Sequence, residues 1–132
     1  MNIIHRTSQT YEAYLTIGSI RGYNGDQIDK SELLLAISNF QTAFEIKHHY
    51  SCGVRILESE IVFQGYTEQC WDVKMVNYPR FPQFDSALKT FIMELARKLL
   101  IVLDQERITV VMPDNSILLE REDADQSRVH EE

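Results

Sequence analysis

The spacing of hydrophobic residues along this chain alternates between two periods, and that alternation limits the folds open to it. Apolar side chains recur at every second residue over residues 12–20, then at steps of three and four over residues 29–47. A period of two is typical of a strand with one buried face, and the longer period is typical of an amphipathic helix. Asp29 and Glu32 have the spacing of a capping box, so we expect the helix to begin there.

The second half of the chain repeats this order. Extended segments are predicted over residues 54–65 and 70–78, with a hairpin turn over residues 65–69. The apolar residues of the first segment change parity along it. This change predicts either a β-bulge near residues 58–60 or a break into two short strands.

The end of the chain adds a second helix and two more strands. The helix is predicted over residues 84–104, a strand over residues 107–112, and a short fifth strand over residues 117–119. Residues 99–103 at the end of this helix are apolar nearly all round. Such a segment needs cover on more than one side, and we expect a partner chain to supply part of it.

The order strand, helix, strand, strand, helix, strand is similar to that of the ferredoxin-like βαββαβ sandwich. The resemblance implies an α+β fold with an antiparallel sheet, two helices on one of its faces, and a possible short fifth strand. The residues predicted for the inner face are Leu15, Ile17, Trp71, Val73, Met75, Ile108 and Val110. The residues predicted for the other face are Tyr14, Thr16, Asp72, Lys74, Val76, Thr109 and Val111.

Length and charge exclude several classes of protein. One domain is predicted over residues 1–119, followed by an acidic, disordered tail over residues 120–132. The net charge is −7, and the tail holds six acids and two bases, so −4 belongs to the tail and −3 to the rest. A nucleic-acid partner would need a basic surface, which this chain does not offer. Without a membrane span or a signal peptide, we expect a cytoplasmic protein that does not enter membranes.

Cysteine and histidine are the side chains that most often carry nucleophilic or metal chemistry. Cys52 and Cys70 are predicted to be reduced thiols, because the expected compartment is reducing. Cys52 lies close in sequence to His48 and His49, which would allow a nucleophilic Cys–His contact. The histidines also suit the end of the first helix, where the helix dipole favours them. The spacings match no metal site, so neither a metal nor another cofactor is predicted.

Residues 78–84 form the best candidate binding site. Two prolines stiffen this segment, and Tyr78, Arg80 and Phe81 are of types enriched at binding hot spots. The alternative interpretation is that Phe81 and Phe84 close the end of the hydrophobic core. The full set of candidate binding residues is Tyr78, Arg80, Phe81, Phe84, His48 and His49.

The sequence offers no catalytic constellation. The function predicted first is therefore a non-enzymatic binding or regulatory module that self-associates, with a second copy or another protein as its partner. A first alternative is a small acidic inhibitor or adaptor, of the kind that phages and mobile elements encode, docking on a larger protein. A second alternative is a small enzyme that uses Cys52 with His48 or His49.

Overall fold

Two α-helices lie on one face of a five-stranded antiparallel sheet in the computed structural model, which describes residues 1–22 and 25–124. The sheet order is β2-β3-β1-β4-β5. The strands are β1 (Glu12–Gly18), β2 (Arg55–Phe63), β3 (Tyr66–Val76), β4 (Arg107–Val111) and β5 (Ser116–Glu120). The helices are α1 (Lys30–His48) and α2 (Asp85–Val102). The predicted α+β fold is confirmed, and the fifth strand extends the sheet beside β4.

The hydrophobic core forms between the helices and the inner face of the sheet. All seven residues predicted for that face are buried, as are the four apolar residues of the α1 stripe, which are Leu33, Ile37, Phe40 and Phe44. Phe91 of α2 packs against α1, because its ring lies 5.4 Å from that of Phe40 and 5.0 Å from that of Phe44, centre to centre. Each such buried side chain contributes roughly 1.5–3 kcal/mol from the hydrophobic effect.

The last turn of α2 is covered more fully than its composition suggests. Leu99, Leu100 and Leu103 are buried against the chain's own core, whereas Ile101 and Val102 are exposed. The part of this turn left for a partner therefore amounts to two side chains. Within the part of the chain that the structure describes, neither helix is long and apolar enough to cross a membrane.

Strands β2 and β3 form one continuous hairpin. Pairing runs without interruption from Arg55 opposite Lys74 to Phe63 opposite Tyr66. The turn consists of Gln64 and Gly65, both with positive φ (49° and 85°), as a two-residue hairpin turn requires. The predicted bulge or break is therefore wrong, and the turn is shorter than predicted.

The change of parity in β2 has a different cause. Ile56 lies opposite the buried Val73, so it faces the helices, whereas Ile61 and Phe63 face the other side of the sheet. The apolar residues of this strand switch faces while the backbone stays regular. The second half of β2 thus presents an apolar wall to the open face of the sheet.

The first turn of α1 does not contain the predicted capping box. Asp29 is the N-cap residue, but its side chain makes no capping hydrogen bond. The Glu32 carboxylate instead forms an ion pair with Arg21 in the preceding loop. The acid therefore ties that loop to the helix rather than satisfying the first backbone N–H groups.

The end of the described chain folds back along the sheet. The predicted domain boundary falls at the last residue of β5, and the next residue, Arg121, donates its backbone N–H to the Glu106 carbonyl. The Arg121 side chain also lies 2.5 Å from the Asp104 carboxylate, and Ala124 is buried. Residues 120–124 therefore belong to the folded domain. Residues 125–132, the rest of the predicted tail, lie outside the described residues.

Candidate functional site

A groove of about 1610 Å³ runs across the face of the sheet opposite the helices. Its floor is the outward-facing side of β1, where Tyr14, Thr16 and Gly18 alternate with buried residues. The strand register brings Asp72 of β3 and Thr109 of β4 to either side of Thr16. The groove is larger than the usual range for small-molecule sites, so it has room for a small-molecule ligand.

Two loops meet at one end of this groove. The backbone N–H of Gly22 donates to the Asp104 carbonyl at 2.6 Å, which joins the loop after β1 to the loop after α2. Ser19 donates to the Gln69 carbonyl at 3.2 Å, which ties the first loop to β3. These backbone bonds give the groove a fixed end wall.

The side chain of Gln105 stabilises this end of the groove through three hydrogen bonds. The side chain is 4% exposed, and its Oε1 accepts a hydrogen bond from the Gly18 backbone at 3.0 Å. Its Nε2 donates to the carbonyls of Ile20 and Leu103 at 3.2 Å and 3.3 Å. A buried amide group that makes these hydrogen bonds is compatible with a stable fold, whereas a buried amide without partners would lower the free energy of unfolding. The end of β1 is thereby fixed to the end of α2.

The Glu68 side chain of β3 lies over Gly18. An ideal Cβ on residue 18 would stand 2.8 Å from Glu68 Oε2, closer than real Cβ contacts come. On the neighbouring pair of residues, Thr16 Oγ1 donates to Asp72 Oδ1 at 2.8 Å. The Asp72 carboxylate therefore lies in the middle of the groove, and the Glu68 carboxylate lies towards its walled end.

Acidic side chains outnumber basic ones in the groove by five to one. The acids are Glu60, Glu68, Asp72, Glu106 and Glu120, and the base is Arg107. Arg107 is already paired, with Nε 2.5 Å from Glu120 and a guanidinium nitrogen 3.5 Å from Glu106. Among the described residues, no basic side chain lies within ion-pair distance of Glu60, Glu68 or Asp72. The groove therefore favours a cationic ligand.

Aromatic and apolar side chains form the walls. Ile61 and Phe63 of β2 stand beside Tyr66 of β3, and Tyr14 lies on the floor. Aromatic faces can stack on a flat ring or attract a cation, so this wall complements the acids. Cys70 also borders the groove, where burial raises the pKa of its thiol although the hydrogen bond with Ser59 acts in the opposite direction.

The predicted cysteine–histidine site is not assembled. Cys52 and Cys70 are free thiols, as expected, but among the described residues Cys52 makes no hydrogen bond with His48 or His49. Burial raises the pKa of Cys52 to about 11, which disfavours the thiolate that a nucleophile needs. His48 instead stacks on Phe44, with ring centres 4.1 Å apart, and its Nε2 lies 3.5 Å from Glu94. The structure therefore gives no support to a nucleophilic Cys–His pair at this position.

The predicted aromatic loop lies at the opposite end of the domain from Gly18 and Gln105. Tyr78, Phe81 and Phe84 are 56%, 61% and 84% exposed, so the interpretation that Phe81 and Phe84 close the core is wrong. Arg80 lies over the Phe81 ring, 5.3 Å from its centre. A binding role for this loop, and for the exposed His49, stays a prediction. None of the six candidate binding residues lines the groove, which the sequence analysis missed.

The described parts of the chain, residues 1–22 and 25–124, contain no group of three His, Cys, Asp or Glu side chains that could hold a metal ion.

Two solved structures of a phage SAM lyase match this chain along almost its entire length. The first, in the apo state, has a TM-score of 0.67 and 10% sequence identity, and covers 94% of this chain and 100% of that one. The second, in complex with S-methyl-5′-thioadenosine, has a TM-score of 0.61 and 11% identity, and covers 95% of this chain and 100% of that one. This chain shares their fold. No family model and no curated protein matches the sequence.

These neighbours are enzymes, and they overturn the prediction of a non-enzymatic binding or regulatory module. The alternative of an acidic inhibitor or adaptor falls with it. The sequence did not predict an enzyme because the groove is lined by single outward-facing residues of separate strands. Such residues form no motif with a recognisable spacing. At 10–11% identity the likeness shows the fold, and an activity for this chain is a proposal.

Proposed function

We propose that this chain is a lyase that cleaves S-adenosylmethionine (SAM), and that the groove on the open face of the sheet is its site. The observation that carries the proposal is the match of nearly all of this chain to the whole length of a phage SAM lyase, seen with and without S-methyl-5′-thioadenosine. The size, charge and aromatic lining of the groove support it.

The identity of that bound molecule defines the bond to be broken. S-methyl-5′-thioadenosine is what remains of SAM when the bond between the sulfonium sulfur and Cγ of the amino-acid part breaks. The electron pair of that bond passes to sulfur, which becomes a neutral thioether. Cγ then bonds to the substrate's own carboxylate, or Cβ gives up a proton to a base and an alkene forms. Neither route adds water, so both are lyase reactions.

The unpaired carboxylates fit the charge of this substrate. SAM carries a positive charge on sulfur, and Glu68 and Asp72 face the groove without basic partners among the described residues. An exposed pair of opposite charges contributes on the order of 1 kcal/mol or less. Because sulfur becomes neutral in the reaction, these carboxylates attract the substrate more strongly than the product. We therefore expect them to act on substrate binding and product release more than on the chemical step.

The aromatic wall fits the other half of the substrate. Adenine is flat and aromatic, and the aromatic side chains of Tyr14, Phe63 and Tyr66 line the groove. The two unpaired thiols suit a reducing compartment, and we propose that the enzyme acts in the cytoplasm. Self-association of the chain stays a prediction.

A blocking substitution tests whether the groove is the site. Thr109 is exposed on β4 in the middle of the groove, and Thr109→Trp would fill it. The full chain is incubated with SAM, and S-methyl-5′-thioadenosine is measured by chromatography. We expect the wild type to form this product and Thr109→Trp to form it at least about tenfold more slowly.

Thr42→Trp, on the exposed surface of α1, is the matched control and should keep the wild-type rate. Circular dichroism checks that both variants are folded. If the wild type forms no S-methyl-5′-thioadenosine, the proposed activity is wrong. If both tryptophan variants keep the wild-type rate, the reaction takes place elsewhere on the molecule.

A further inference from the structure

We infer that Gly18 is a positioning residue, which leaves room for the Glu68 carboxylate to lie over the end of β1 and recognise the positive charge on the substrate's sulfur. This inference rests on the proposed function and adds to it a source of specificity. It predicts that the Glu68 carboxylate, together with Asp72, allows the site to distinguish a sulfonium from the corresponding neutral thioether.

The backbone does not require glycine at residue 18. Gly18 pairs with Cys70 in the regular antiparallel ladder between β1 and β3. Its φ lies outside the left-handed region, unlike those of Gly22 and Gly65. Any residue could adopt this backbone conformation, so the reason for glycine lies in the space above it.

That space is occupied by Glu68. A Cβ on residue 18 would come within 2.8 Å of Glu68 Oε2 and within 3.5 Å of Gln105 Oε1. The Glu68 carboxylate is the far end of a flexible side chain, so an added methyl group would displace the carboxylate and leave the strand in place. The hydrogen bond from the Gly18 N–H to the buried Gln105 side chain holds that strand end fixed.

The surroundings of the Glu68 carboxylate differ from those of Asp72. Glu68 lies at the walled end of the groove, where the loops after β1 and α2 are tied together. Asp72, by comparison, has one oxygen occupied by the Thr16 hydroxyl. Glu68 makes no hydrogen bond or ion pair with the residues that the structure describes, so its charge is available to a ligand. Moving the carboxylate away from the substrate's sulfur weakens the attraction between the two charges, because that attraction falls with distance.

The experiment measures discrimination between two probes. SAM and S-adenosylhomocysteine differ by one methyl group and by the positive charge on sulfur. For each variant, KM and kcat are measured with SAM, and the inhibition constant is measured with S-adenosylhomocysteine. The ratio of that inhibition constant to KM reports recognition of the charge, which a general loss of structure would not change selectively.

Gly18→Ala and Glu68→Gln should each lower this ratio about fivefold, mainly through KM for SAM. The double variant should be no worse than Glu68→Gln alone, because both changes remove the same interaction. Glu68→Asp shortens the reach of the carboxylate without touching β1, and it should reproduce the loss even if Gly18→Ala folds poorly. Gly53→Ala is the matched control, since nothing lies within 4 Å of a Cβ there.

Two results would overturn the inference. Gly18→Ala could weaken the binding of SAM and of S-adenosylhomocysteine equally. Alternatively, its effect on the ratio could add in full to that of Glu68→Gln. If the wild type cleaves SAM, either result would show that Gly18 does not position Glu68, and the proposed function would be unaffected. A wild type that neither cleaves nor binds SAM would instead remove the proposed function, and this inference with it.

Discussion

Thr16 and Asp72 are joined across the open face of the sheet by a hydrogen bond from the threonine hydroxyl to the carboxylate, 2.8 Å long. The two residues lie directly opposite each other in the pairing of β1 with β3. The bond fixes one carboxylate rotamer in the middle of the groove. It therefore links the regular register of the sheet to the charge of the proposed site.

Asp72→Asn is expected to raise KM for SAM by about two- to fivefold while leaving the melting temperature nearly unchanged. Asparagine keeps an oxygen that can accept from Thr16, so the substitution removes the charge and spares the hydrogen bond. Steady-state kinetics and a thermal melt measure the two effects. Glu45→Gln removes the same charge from the exposed surface of α1 and should leave KM unaltered. Equal KM values for both variants would show that Asp72 does not attract the substrate.

Phe91→Ala is expected to destabilise the domain by about 3–5 kcal/mol, because Phe91 is fully buried between the rings of Phe40 and Phe44. Phe84→Ala, at a side chain that is 84% exposed, should change the free energy of unfolding by less than about 0.5 kcal/mol. Urea unfolding measures both variants. A large loss at Phe84 would mean that the aromatic loop does support the core.

Gln105→Leu is expected to cost about 2–3 kcal/mol, because it leaves the Gly18 N–H and two carbonyls without their buried partner. Gln69→Leu, at an exposed position of β3, is the matched control and should be close to neutral. Amide hydrogen exchange gives a local measure, since the Gly18 amide should lose protection in the first variant alone. Unchanged protection at Gly18 would contradict the bracing role of Gln105.

Cys52 is expected to make the domain less stable as the pH rises above 9. Burial raises the pKa of its thiol from 9.0 to about 11 in the folded state. Above pH 9 the unfolded chain loses this proton while the folded chain keeps it, so the unfolded state binds fewer protons and stability falls until about pH 11. Urea unfolding between pH 8 and pH 10.5 measures the slope. Cys52→Ala should have a shallower slope than the wild type, and identical slopes would count against the burial of this thiol.

The fold could be predicted from the sequence because burial imposes a period on it. The apolar steps that include Phe40 and Phe44 mark the buried side of α1, and the alternation through Leu15 and Ile17 marks the inner face of β1. The ends of helices and strands could not be predicted equally well from single polar residues. Asp29 has the right spacing for a cap, but the pull of Arg21 on Glu32 is a tertiary effect that no local rule contains.

The site could not be predicted because its residues share a face of the sheet and no stretch of sequence. Gly18 and Glu68 are fifty positions apart, and they come together through the register of β1 with β3. One signal of the groove was present in the sequence, but it was interpreted as a β-bulge or a break in β2. Ile61 and Phe63 break the alternation of β2 because they face the groove, and that change of parity marks an apolar wall on the open side of the sheet.

The central claim, that this chain breaks the bond between sulfur and Cγ in SAM, is tested most directly with SAM that carries a ¹³C-labelled S-methyl group. NMR follows the methyl carbon, whose chemical shift differs between a sulfonium and a thioether. The full chain is expected to convert the sulfonium signal into that of S-methyl-5′-thioadenosine, one for one, far faster than a heat-unfolded sample does. A sulfonium signal that decays no faster than in the unfolded control would contradict the account, as would a methyl group that leaves sulfur.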